Sequence, residues 1–172
     1  SVRVNPLVPI SAFGVGNQID LERASAVHQL LHPLDSNGMS PGINFDGFCN
    51  VSHSLDGQCR SYTHVFRTGA IEAVKVHVTS NTGYIAPVSL ENYIFDQLPG
   101  YLSALQNLDV PPPIVFMLTL QGVRGRRLGV RSSLGYPEDT PTIDRAVLEL
   151  PEIIIENYGT DVDYQRAVRP AF

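Results

Sequence analysis

Cys49, His53, Cys59 and His64 place two thiols and two imidazoles within sixteen positions, and these are the side chains that hold zinc. Their spacing, C-x3-H-x5-C-x4-H, matches no standard zinc template, and Cys59 and His64 have opposite strand parity. The expectation is one or two buried thiols and polar loop histidines, with no metal and no other cofactor. A second arrangement lies in Ser61 to Val78, two strand-like runs meeting at Arg67-Thr68-Gly69. With a three-residue loop, His64 faces Glu72 across the hairpin, which is the start of acid/base machinery; with a two-residue loop, Val65 takes that place. No nucleophile motif accompanies the pair: H-E-x-x-H and the Walker phosphate loop are missing, and Gly38-Met39-Ser40-Pro41-Gly42, which spells G-x-S-x-G, lies in a turn-rich loop ahead of a strand and not in the strand-to-helix turn that a nucleophile elbow needs. No catalytic residue is assigned. Asp46, Asp56 and Glu72 are the nearest carboxylates for a hydrolase, and their spacing does not favour one.

The concentrated positive charge is Gln121 to Ser133, Q-G-V-R-G-R-R-L-G-V-R-S-S. Arg124, Arg126, Arg127 and Arg131 lie among Gly122, Gly125 and Gly129, so the backbone could approach an anion while guanidinium forks clamp it. These four arginines are the candidate anion or nucleic-acid contacts. A solvated turn whose arginines pair with nearby acids is the competing reading.

The elements that must position these groups follow from pattern. Val2 to Ile10, interrupted by Pro6 and Pro9, suits an edge or entry strand and excludes a central one, and Gly14 and Gly16 end it. Asp20 caps a helix whose apolar stripe runs from Leu21 to Leu31. Residues 35–42 form a loop, and 43–51 a strand bent near Asn44, Asp46 and Gly47. After the hairpin, Ser89 is read as the cap of a long helix to Leu108, kinked or split at Pro99-Gly100, that covers its own sheet. Ile114 to Val123 reads as a central strand buried on both faces, and Val147 to Glu156 as a late strand with Pro151 inside it. A terminal helix begins near Val162. The order predicts an α+β fold, a mixed and largely antiparallel sheet of about six strands with two main helices packed on it, in a single domain spanning 1–172.

The chain has 172 residues, 43% hydrophobic, and a net charge of −5 that argues against a broad basic face for nucleic acid. Lys75 is the sole lysine among eleven arginines. Two cysteines cannot staple a fold, and with no signal peptide or long apolar run a reduced cytoplasmic compartment away from membranes is expected. Its abrupt ends suggest an excised domain. The tyrosines at 84, 93, 101, 136, 158 and 164 are too scattered for a base-stacking platform.

Several phrases stand together in one order: I-N-F-D-G-F at 43–48, S-Y-T-H-V-F-R-T-G-A-I-E-A-V at 61–74, L-P-G-Y-L-S-A-L at 98–105, P-P-P-I-V-F-M-L-T-L-Q-G-V at 111–123, L-P-E-I-I-I-E at 150–156 and R-P-A-F at 169–172. In these the chain resembles the C-terminal region of large bacterial ATP-binding or helix-turn-helix proteins whose N-terminal part is a Schlafen-type, AlbA-like DNA-binding domain. The phrases are structural, and neither ATP nor DNA binding transfers through them. The resemblance implies an accessory domain for sensing, partner binding or oligomerisation, linked to defence or regulation, with the parent's N-terminal domain or a second copy as partner.

Overall fold

The computed structural model describes residues 2–6, 18–35, 38–76, 78, 83–129, 141–159 and 161–171. The Gly14 and Gly16 break, Arg131 and Tyr136 lie outside them. The strands are β1 (Val2–Pro6), β2 (Ser40–Ile43), β3 (Gly47–His53), β4 (Cys59–Phe66), β5 (Ile71–Lys75), β6 (Tyr84–Ile85), β7 (Ile114–Gln121), β8 (Arg127–Leu128), β9 (Val147–Glu149) and β10 (Ile153–Ile155). The helices are α1 (Leu21–Ala26), α2 (Pro87–Asn107) and α3 (Asp161–Val168). The fold is α+β. Eight strands form one antiparallel sheet in the order β10-β7-β1-β5-β4-β3-β2, with β9 also on β7. That is larger than the six strands expected, and the parallel pairing sits apart, in the short β6 and β8 ladder.

β1 overturns its edge assignment, because it lies between β5 and β7 in the middle of the sheet. Two prolines argued against a central place, yet Pro6 is the last residue of the strand. Pairing with β5 ends at Val4 opposite Ile71, while pairing with β7 continues to Pro6 opposite Ile114. On β5 the Val76 amide donates to Arg60 and the Ala70 carbonyl accepts from Phe66, so its odd-numbered residues face β1; with Val2 opposite Ala73, the even-numbered residues of β1 face β5, and the Pro6 nitrogen turns toward β5, where pairing has already stopped. The missing N–H therefore costs no ladder bond.

Other boundaries moved for local reasons. The expected bend at Asn44 is a full reversal joining β2 to β3: the Asn44 side-chain oxygen accepts from the Asp46 and Gly47 amides at 3.0 and 2.8 Å, an Asx turn. Pro151 separates β9 from β10, and both pair with β7. α2 starts at Pro87, the favoured residue type for a first helical turn, with no side-chain cap from Ser89, and it runs unbroken through Pro99. β7 alternates buried and half-buried residues, so it is central without being buried on both faces.

One face of the sheet is covered. Leu90, Ile94, Leu98, Tyr101, Leu102 and Leu105 form the buried stripe of α2, sharing one core with Phe48, Val65, Ile71, Phe116 and Leu118 from the sheet. Polar ties fix α1 and the turn after it to the same face. The Asp20 carboxylate caps α1 as expected, accepting from the Glu22 amide at 2.8 Å. Buried Asn50 donates to the carbonyls of His28 and Leu31, each at 2.9 Å. Tyr101 and Thr63 both donate to the His32 carbonyl, at 2.6 and 3.0 Å.

Candidate functional site

The arginine segment is a clamped turn. Gly122 and Gly125 have φ of 69° and 75°, the left-handed region where glycine carries no steric penalty, and they reverse the chain after β7. The amides of Gly122 and Val123 donate to the Ala146 carbonyl, that of Gly125 to Ile143, that of Arg126 to Val123 and that of Arg127 to Gly83. The backbone donors expected to face an anion are thus engaged within the chain, and an anion here would meet guanidinium groups. Arg124 and Arg126 are exposed, whereas Arg127 lies 5.9 Å over the Tyr84 ring and donates to its hydroxyl at 3.2 Å. Two of the four arginines therefore point outward and one is packed.

Arg126 also reaches a cavity of about 390 Å³ at one end of the sheet. Val74, Lys75 and Val76 line it from β5 and the residue that follows, Leu118, Leu120 and Gln121 from β7. Leu90 of α2 contributes apolar surface, and Glu72 and Tyr62 add a carboxylate and a phenol joined by a 2.9 Å hydrogen bond. The Lys75 ammonium pairs with Asp35 and lies 4.9 Å over the Tyr93 ring, so its charge is compensated in place. Sequence reasoning missed this cavity because its walls come from separate segments. The one signal was Lys75, the sole lysine, to which no role was given.

The hairpin resolves to the three-residue loop. The Phe66 amide donates to the Ala70 carbonyl at 2.8 Å, Gly69 has φ of 80°, and His64 pairs with Glu72. Cys49 pairs with His64 from the other side, so thiol, imidazole and carboxylate stand in a row across three strands. The row is not poised for chemistry. Burial pushes the Cys49 thiol up, with Cys59 adding to it, so the nucleophilic thiolate is disfavoured. His64 packs its ring 4.2 Å from Phe66 and places Nε2 3.3 Å from the Asn44 side-chain oxygen. Among the described residues, no group of three or more His, Cys, Asp or Glu could hold a metal ion.

Burial lowers the His64 pKa below its ordinary value near 6.5, and Asp46 and Glu72 offset this in part. The unfolded chain then takes up a proton at higher pH than the fold does. The contribution of His64 to stability is therefore full above the ordinary value and is lost as pH drops through it toward the lower native one. His64→Gln should flatten this slope in urea unfolding series between pH 7.5 and 5. An unchanged slope would remove His64 as its source.

No helix among the described residues is long and apolar enough to cross a membrane. Comparison with known proteins returns no matching family model, no matching curated protein and no matching solved structure.

Proposed function

We propose that this chain is a non-enzymatic interaction and sensing module of a larger bacterial protein of the DNA-binding type, working in the cytoplasm with the parent's N-terminal domain. The observation that supports it best is the cavity at the sheet end, where strand ends, apolar side chains and opposite charges converge. Glu72 is hydrogen-bonded to Tyr62 and Lys75 is paired with Asp35, an arrangement suited to recognition. The test is NMR shift mapping with nucleotides, short peptides and apolar fragments. Perturbations gathered at Glu72, Lys75, Leu120 and Arg126 are expected; a map that avoids all four, or turnover of any probe, overturns the reading.

A second reading is favoured by the outward guanidinium groups of Arg124 and Arg126. On it, the turn with Arg127 and Arg131 binds phosphate or nucleic acid, through charge and without reading bases. The doubly charge-reversed variant Arg126→Glu/Arg127→Glu should then weaken binding of a mixed-sequence oligonucleotide by about tenfold or more at low salt. A gel-shift series across salt concentrations checks it. Equal binding by variant and wild type, or binding indifferent to salt, removes this alternative.

A further inference from the structure

Among the described residues, the core face of the sheet is polar in one patch. Asn50 and Ser52 of β3 lie opposite Thr63 and Ser61 of β4, on the same face as the apolar pair Phe48 and Val65. All four polar side chains are buried. Lys75 of β5 stands opposite Ser61 and extends the patch by one strand.

Three of these five side chains grip the segment laid over them. Asn50 donates to the His28 and Leu31 carbonyls, Thr63 to that of His32, and the Lys75 ammonium pairs with Asp35. Both amide protons of Asn50 are spent in this way, which fixes the orientation of the group, since the reverse would set Oδ1 against two carbonyl oxygens. Its Oδ1 is left as a buried acceptor. Asn50 is 0% exposed and Ser61 1%, and neither Asn50 Oδ1 nor Ser61 Oγ finds a hydrogen-bond partner among the described residues.

Buried polar atoms in folded proteins are paired almost without exception, with protein groups or with ordered water. The two unpaired atoms here are neighbours. Asn50 is diagonal to Ser61 across the β3–β4 ladder, and residues so placed have Cβ atoms roughly 7 Å apart. A water bonded at about 2.8 Å to each oxygen covers that span.

We infer that this patch is a binding site for one internal water molecule, which donates to Asn50 Oδ1 and pairs with the Ser61 hydroxyl, with Ser52 at the third corner. Water suits because Asn50 Oδ1 requires a donor while a serine hydroxyl serves as either donor or acceptor. A polar site retains such a molecule, whereas an apolar void of equal size stays dry. A hard metal cation suits less well. It takes about six oxygen ligands or more, and the His28, Leu31 and His32 carbonyls above the patch already accept bonds from the protein. The water completes the seam between β3, β4 and the 28–35 segment, joining the two side chains that the direct bonds leave out. It is independent of the interaction reading.

The test follows the oxygen of water. Oxygen-17 relaxation dispersion counts long-lived internal waters and is blind to exchanging hydroxyl protons. Ser61→Val sets two methyl groups in the water's place, so its amplitude should fall below wild type by about one water, out of roughly six for a chain of this length. An unchanged amplitude overturns the inference. Should the variant fail to fold, the wild-type crystal decides. Density for a water within hydrogen-bond distance of both Asn50 Oδ1 and Ser61 Oγ is expected; density at neither, or a Ser61 hydroxyl turned onto a protein carbonyl, overturns it. Exchanging potassium or sodium for choline should leave the urea midpoint of wild type unchanged. A midpoint that rises with either metal ion assigns the patch to a cation and overturns the water.

Discussion

Gly47→Ala is expected to be among the most damaging single substitutions in the domain. A Cβ at this position would stand 1.9 Å from the Val65 carbonyl oxygen and 2.9 Å from its carbon. Both atoms belong to the backbone of β4, against which β3 is paired at Gly47 and Phe66, so no side chain can swing aside. The strands must separate locally, and the Asn44 turn that feeds β3 goes with them. Overpacking a well-filled site costs roughly 1–3 kcal/mol and sometimes more, and a backbone obstacle places this case at the upper end or above. Urea unfolding with an unchanged denaturant slope would show the loss as a lower midpoint. Gly42→Ala is the control: nothing lies within 4 Å of its Cβ, so a change within about 0.5 kcal/mol is expected. Equal midpoints for the two variants would show that β3 is free to move at Gly47.

Asn50 carries the second large effect. Its amide ties the sheet to the turn after α1, beside the Thr63 bond to His32, with two 2.9 Å bonds to the carbonyls of His28 and Leu31. Asn50→Leu keeps bulk but strips both carbonyls of that donor. Each buried group left unsatisfied costs about 1–3 kcal/mol, and His28 keeps one bond from the Leu31 amide, so a loss of about 2–4 kcal/mol is expected. Asn50→Asp should be worse at neutral pH, because a buried carboxylate would face two carbonyl oxygens. Its proton would be held more tightly in the fold than in the unfolded chain, so part of the loss returns as pH falls toward the ordinary carboxylate value near 4. The Leu variant should show no such recovery relative to wild type. Unfolding midpoints at pH 7 and pH 4.5 separate the two, and parallel behaviour would mean that residue 50 is solvated.

Local chemistry was legible in the chain wherever one residue type had one use. The Asp20 cap and the Gly69 hairpin loop follow from side-chain length and from φ, both properties of a few neighbouring residues. The α+β class follows from the alternation of patterns, and the structure bears it out. Longer-range features were harder. Pro6 looked disqualifying for a central strand because only the order of pairing reveals which of its edges is needed. Asn44 to Gly47 was read as a bend because a reversal and a bulge use the same turn residues. For the site, Arg124, Arg126 and Arg127 were visible as a charge cluster, yet the bonding that occupies the turn's amides comes from Ala146 and Ile143, distant in sequence. The cavity was invisible, since no segment carries more than a few of its walls.

The central place of β1 bears on the order of events during synthesis. β1 leaves the ribosome before the rest of the described chain, but its two neighbours are made far later: β5 in the middle of the chain, and β7 after the long helix α2. Until then its apolar residues have no sheet to join, whereas β2 to β5 pair successively with near neighbours as soon as each emerges. Local pairing therefore favours forming β2 through β5 first, and β1 can be enclosed only once β7 has been made. Sheets held together by such distant pairings fold slowly and leave strands open to wrong partners in the meantime.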